Sequence, residues 1–240
     1  LTGNTTGANN TAVGYNSLGA NTTGAQNTAV GFQALLNNTT GGYNLALGYS
    51  ALQANTTASN NMAIGPLALA ANTTGASNVG LGRNALNANT TADNNTAVGH
   101  ASLAANTTGA SNTALGYLAL EANTTGINNV AVGASAGDEC TTGDNNTAVG
   151  ASSLGGSSGA TTGDNNTTIG TAAGFNITSG SNNLLLGHDA GRTGSPGGVI
   201  TSHSNNIVLG DENITAAYIK VDWTVGSDAR DKTDFTPLDL

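Results

Sequence analysis

Apolar residues recur along this chain at a fixed spacing. An aliphatic residue stands directly before a glycine, a leucine follows four residues after it, and small or polar residues fill the rest of the period. The glycines Gly14, Gly31, Gly48, Gly65, Gly82, Gly99, Gly116, Gly133 and Gly150 are 17 apart without a slip; the spacing then loosens to 20, 17 and 23, giving Gly170, Gly187 and Gly210. One repeat reads Asn-Thr-Ala-Val-Gly-x-x-Ala-Leu-x-x-Asn-Thr-Thr-Gly-Ala-x. A short fixed period marks a stacked architecture in which each repeat touches its neighbours. Seventeen residues are too few for the two-helix units of helical solenoids, which need about 33. The density of Gly, Asn and Thr disfavours helix as well. Short β-branched runs punctuated by Gly and Asn predict strands joined by turns. The expected fold is all-β: a parallel β-solenoid of about twelve coils, spanning on the order of 55 Å at the strand spacing.

Positions are numbered here from the repeat glycine as 0. Position −1 is always Val, Leu or Ile, and −3 is Thr, Leu, Met, Val or Ile. Position −2 is small in the regular region: Ala12, Ala29, Ala46, Ala63, Gly80, Ala97, Ala114, Ala131 and Ala148. The expectation is that −1 and −3 face the coil interior and that the small −2 face meets other chains. Only nine of the 240 residues are aromatic. A coil this small encloses little apolar surface, and at about 25 cal/mol per Å² that leaves little margin over chain entropy. This predicts an obligate oligomer.

An asparagine stands at −4 in every coil: Asn10, Asn27, Asn44, Asn61, Asn78, Asn95, Asn112, Asn129, Asn146, Asn166, Asn183 and Asn206. Identical amides stacked at the strand spacing predict a structural ladder, each amide bonded to the next. No second polar group recurs with it to build a repeated ligand site.

Only Arg83, Asp93 and Glu121 are charged before residue 138, and sixteen charged residues follow. The net charge of −9 argues against nucleic-acid binding, which uses basic stripes. No apolar run reaches membrane-spanning length and no signal peptide is visible. The chain begins at Leu1, which points to a fragment or a processed product. The lone Cys140 replaces the Asn that elsewhere precedes Thr-Thr, and reads as a buried inert thiol. Asn21, Asn38, Asn55, Asn72, Asn89, Asn106 and Asn123 form Asn-x-Thr acceptor sites, but they recur because the turn recurs, and no glycan is expected on them. His100, His188 and His203 read as isolated. Asp144 and Asp164 follow glycines but do not recur in every turn, as the calcium-binding roll requires. No metal or other cofactor is expected.

After Gly210, residues 217–225 alternate, with Ile219, Val221, Trp223 and Val225 on one face. That pattern predicts a strand with one buried face, acting as a neck that closes the solenoid.

Two resemblances follow from these motifs. The Asn-Thr-Ala-Val-Gly repeat of residues 9–210 resembles the head repeats of trimeric autotransporter adhesins, whose core is Asn-x-x-Ala-Ile/Leu-Gly. That resemblance implies a left-handed parallel β-roll in an intertwined homotrimer. The segment Ser227-Asp228-Ala229-Arg230-Asp231-Lys232-Thr233-Asp234-Phe235-Thr236-Pro237-Leu238 is similar to the opening of the intramolecular chaperone domain of phage tail spikes, tail fibres and endosialidases. Phe235 stands where that family has Ile. The resemblance implies that Ser227 is the nucleophile and Lys232 its partner in a self-cleavage that follows trimerisation. A lysine deprotonated in an apolar site could serve as that base.

The domain reading is then a shaft over 1–210, a neck over 211–226, and the start of a chaperone domain over 227–240. Only fourteen residues of that domain are present, so this chain is not expected to be an enzyme. The functional expectation is a virion fibre, extracellular and homotrimeric. It would associate with other virion proteins and support attachment to a host-surface glycan or protein, without inserting into a membrane. A trimeric bacterial surface adhesin is the alternative. An ice-binding solenoid is a remote one, raised by the pairs Thr22-Thr23, Thr39-Thr40, Thr56-Thr57 and Thr73-Thr74. Ice-binding faces pair threonines two apart, whereas neighbours on a strand point to opposite faces.

Overall fold

A computed structural model describes residues 2–156 and 159–215. The predicted neck strand, Ser227 and Lys232 lie outside the described residues. Each coil contributes one strand of three residues, positions −3 to −1: β1 (Thr11–Val13), β2 (Thr28–Val30), β3 (Leu45–Leu47), β4 (Met62–Ile64), β5 (Val79–Leu81), β6 (Thr96–Val98), β7 (Thr113–Leu115), β8 (Val130–Val132), β9 (Thr147–Val149), β10 (Thr167–Ile169), β11 (Leu184–Leu186) and β12 (Ile207–Leu209). They pair in sequence order into one parallel twelve-stranded sheet, in register throughout, as with Ala12 on Ala29 and Ala97 on Ala114. The chain is a β-solenoid with the predicted repeat.

The path between strands is also stacked by main-chain bonds. Leu18 N donates to Ala34 O at 2.9 Å, Thr22 N to Thr39 O at 2.9 Å, and Gln33 N back to Tyr15 O at 2.9 Å. Bonds thus run to the coil on either side, as a backbone without helix or wide sheet requires to satisfy its polar groups.

Tight closure is achieved with left-handed backbone. Positions −5, +2 and +4 adopt positive φ in coil after coil, as at Gln26 (60°), Gln33 (57°) and Leu35 (51°). Leucine disfavours this conformation by about 1 kcal/mol. Burial offsets it: Leu18, Leu35, Leu52, Leu69, Leu86 and Leu103 are fully enclosed, worth about 2 kcal/mol each. The repeat glycine has its own reason. Gly82 has φ of 137°, and a Cβ there would lie 2.4 Å from Gly99 O in the next coil.

The sheet faces are the reverse of the sequence expectation. The central −2 residue is buried in every strand from β2 to β12, while no flanking −3 or −1 residue is buried. Ala29, Ala46, Ala63, Ala97, Ala114 and Ala131 are at 0 % exposure, and Val13, Leu47, Leu115 and Ile207 at 57, 43, 47 and 62 %. The physical cause is width. A regular coil already encloses Leu at +4, Ala or Ser at +3, and two asparagines at −4 and +7, which leaves only a methyl's room under the strand.

The late coils repack the same volume differently. Thr168, Leu185 and Val208 replace alanine at −2 and are buried. Opposite the first two, glycine replaces leucine at +4: a Cβ on Gly174 would meet Thr168 Cγ2 at 2.6 Å, and one on Gly191 would meet Leu185 Cδ2 at 2.3 Å. Buried Ile177 and Ile200 then take the +7 place. Total volume is conserved while its distribution changes, the kind of swap that a close-packed interior tolerates best.

The two insertions that stretch the late spacings contain no strand among their described residues. Gly159 and Ala160 are exposed, as are Pro196, Gly197 and Gly198, and the chain re-enters the core at Thr161 and Ile200.

Candidate assembly face, internal ladders and a polar cluster

The −4 asparagines form a ladder of mixed kind. Asn27 Oδ1 accepts from the main-chain N–H of Asn44 at 3.0 Å, and Asn27 Nδ2 donates to Gly41 O at 2.8 Å. The same pair of bonds recurs at Asn61, Asn78, Asn95, Asn112 and Asn129. Asn10 bonds likewise to Asn27 N and Gly24 O, Asn146 to Asn166 N and Gly163 O, and Asn166 to Asn183 N and Gly180 O. Asn183 accepts from Asn206 N and donates to His203 O, and Asn206 donates to Asn183 Oδ1. The expected amide-to-amide contact is therefore secondary here. Each of these side chains chiefly ties one coil's backbone to the next.

A pure amide ladder exists at +7 instead, on the residues that read as glycan acceptors. Asn38 Nδ2 donates to Asn21 Oδ1 at 2.8 Å, Asn55 to Asn38 at 2.8 Å, Asn89 to Asn72 at 2.8 Å and Asn123 to Asn106 at 2.8 Å. Each also donates to the main-chain carbonyl three residues on, as Asn72 does to Gly75 at 2.9 Å. Asn21 through Asn123 are completely buried at this position, so a glycan cannot be carried there in the folded coil. The sequence signal was present in the recurrence of this Asn through the first seven coils, and it was masked by the turn-like Asn-Thr-Thr that contains it.

The threonine after it is half-buried and spends its hydroxyl on the next coil: Thr22 Oγ1 donates to Thr39 O at 3.0 Å and Thr73 Oγ1 to Thr90 O at 3.0 Å. The second threonine is exposed. The Thr-Thr pairs thus present one outward hydroxyl per coil, in a single column along the stack.

Cys140 ends the +7 ladder. It is enclosed, and burial, with Asp138 and Glu139 nearby, pushes its thiol up to about 12. Asp138 is half-buried, and desolvation raises its carboxyl above the usual range despite a hydrogen bond to Ser135.

On the outside, the −3 and −1 side chains form two columns along the full sheet with no charged residue in either. Position +1 adds a flanking column with aromatic rings in several early coils and with Arg83 and Asp211 as its charged members. The rings of Tyr15 and Phe32 stack at 5.4 Å, Phe32 and Tyr49 at 5.5 Å, and His100 and Tyr117 at 5.5 Å. Position −3 is threonine in half of the coils and Leu, Met, Val or Ile in the rest, and −1 is aliphatic throughout; an exposed aliphatic column this long marks an interaction site.

At the far end of the +1 column, His188 is not isolated. Its Nδ1 lies 3.2 Å from Asp211 Oδ2 and 3.8 Å from Asp189 Oδ2. Arg192 holds the other oxygen of Asp189 at 2.6 Å and lies over the Phe175 ring at 4.5 Å. Asn213 N–H bonds to Asp211 Oδ1 at 2.9 Å and, ahead of the His188 contact, lowers the Asp211 carboxyl below its ordinary range. Sequence spacing hid this cluster, because the 23-residue coil sets His188 and Asp211 apart in the chain and adjacent in space.

Among the described residues, no helix is long and apolar enough to cross a membrane. No family model, no curated protein and no solved structure matches this chain. The fold and its surfaces define a repetitive parallel β-solenoid with amide ladders inside and an uncovered apolar sheet face outside.

Proposed function

We propose that this chain is the shaft of a homotrimeric extracellular fibre of the phage tail-fibre type, supporting host attachment in a virion. The observation that carries the reading is the apolar outer face of the sheet. It runs roughly 55 Å along the sheet, and positions −3 to +1 make it about 15 Å wide. That is on the order of 800 Å² per chain, the size of a standard protein interface.

The occupant is another copy of this chain. Rows of side chains that repeat at the strand spacing over twelve coils mesh only with a surface of the same period, and the −3 and −1 columns, which carry no charge, are not repelled by their own kind. The left-handed winding, the trimeric number and the virion setting rest on the two sequence resemblances. Residues 227–238 favour the phage fibre over the bacterial adhesin. In a longer precursor, Ser227 and Lys232 would serve self-cleavage after assembly.

Light scattering tests the reading. The unmodified chain is expected at three times 23.3 kDa. Leu81→Glu combined with Leu115→Glu places charges on side chains that the single coil leaves 39 and 47 % exposed, so the coil folds while an assembled interface would bury them unpaired. The variant is expected at one chain's mass. A monomeric parent would overturn the proposal, and a dimeric one would keep the face and remove the trimer. The adhesin reading is separated from it by what the complete reading frame encodes after the fibre: a membrane β-barrel or a chaperone-sized domain.

A further inference from the structure

We propose that His188, Asp189 and Asp211 form a binding site for a divalent cation of the zinc class, which staples the last two coils together. The three candidate ligand atoms, His188 Nδ1 and one carboxylate oxygen from each aspartate, all lie within 4.8 Å of one another. A tetrahedral zinc site with bonds of about 2.0 Å has ligand-to-ligand edges of about 3.3 Å. The His188–Asp211 edge is 3.2 Å, the His188–Asp189 edge is 3.8 Å and the edge between the two carboxylates lies within 4.8 Å, so closure requires the two aspartate side chains to draw together around the ion.

One imidazole and two carboxylates make a donor set for zinc or a similar ion. Calcium, which takes six to eight oxygens, finds too few here. Three protein ligands leave a fourth position for water.

The surroundings orient the ligands as a second shell does. Arg192 binds Asp189 through Oδ1, leaving Oδ2 toward the histidine. Asn213 holds Asp211 through both its main-chain N–H and its side-chain amide. His188 and Asp211 occupy the same +1 position in successive coils, kept adjacent by the pairing of Leu186 with Leu209. The site lies where the repeat is longest and the buried +7 amide ladder has given way to Ile177 and Ile200. A cation there links the two coils at the junction where the +7 amide-to-amide bonds are absent.

The experiment is calorimetric titration of Zn²⁺ into the full chain after chelator treatment, with Ca²⁺ and Mg²⁺ in parallel. One equivalent of Zn²⁺ per chain is expected, with no comparable binding of Ca²⁺ or Mg²⁺. His188→Ala and Asp211→Asn should each weaken Zn²⁺ binding at least tenfold. The His188 side chain is 65 % exposed, so its removal leaves the fold intact, and Asp211→Asn preserves shape while removing charge. Zn²⁺ should also raise the thermal midpoint of the parent and leave that of both variants unchanged. Absence of binding would show that the cluster is only an ion pair. Binding of equal affinity in both variants would place the ion elsewhere. Either result overturns the proposal.

Discussion

Cys140 stands one coil beyond Asn123, where an asparagine would donate to it, and Asn123 Oδ1 is consequently buried without a hydrogen-bond donor. Each earlier Oδ1 in the column, from Asn21 to Asn106, receives the amide of the next. A stranded buried acceptor costs about 1–3 kcal/mol. The regular half of the shaft therefore ends on a defect that a single residue explains.

Restoring the donor is expected to stabilise the chain. Cys140→Asn supplies an amide to Asn123 Oδ1, and Gly137 at the leucine position leaves room for it. The expected gain is about 1 kcal/mol, read as a higher midpoint in denaturant with an unchanged slope. An unchanged or lower midpoint would show that the column cannot admit a longer side chain there.

The ladder's coupling can be read from two alanine substitutions. Asn72→Ala removes bonds to Asn55, Gly75 and Asn89, while Asn123→Ala removes only those to Asn106 and Gly126. Both changes destabilise, and the Asn72 variant should be worse by about 1 kcal/mol in chemical denaturation. Equal losses would mean that the amide-to-amide bonds contribute nothing net.

The buried thiol makes stability depend on alkaline pH. Its ordinary value is 9.0 and burial holds it at about 12, so the unfolded chain loses this proton first as pH rises. Stability then falls between those values, by at most about 1.4 kcal/mol per pH unit from this one group. Cys140→Ala should flatten the difference between pH 8 and pH 11 relative to the parent. At pH 8 the native thiol should not react with a thiol reagent until denaturant is added.

The repeat glycine and a loop glycine should respond differently to the same change. Gly82→Ala forces a Cβ against the Gly99 carbonyl at a φ that alanine rarely adopts, and about 3 kcal/mol or more of stability should be lost. Gly197→Ala meets nothing within 4 Å and has φ of 81°, so its loss should stay near 1 kcal/mol. Thermal unfolding of the two variants beside the parent gives the comparison. Similar losses would refute the stacked-glycine account.

Much of the fold was legible from the period alone. Seventeen-residue spacing with identical residues at each step permits only in-register parallel stacking, because any slip sets unlike residues side by side. The same spacing located the strands and the repeat glycine, and its loosening to 20 and 23 marked the coils that carry the two insertions. The sequence also held an unread clue to the interior. Position −2 stays Ala or Gly through the regular region while −1 and −3 vary, and where −2 enlarges at Thr168 and Leu185 the +4 leucine becomes Gly174 and Gly191. Paired size changes mark residues that share an enclosed space.

What the tertiary structure alone decided is which side of the sheet is inside. A three-residue strand offers two faces, and alternation does not say toward which of them the chain closes. Closure is set by left-handed backbone at −5, +2 and +4, and the last of these is a leucine, which carries no turn signature. Once the coil closes on the −2 side, two amides and that leucine fill it, and the larger aliphatic residues are left outside. Likewise, only the looping-out of the long final insertion brings His188 against Asp211, since a contact across 23 residues depends on where the extra length leaves the stack.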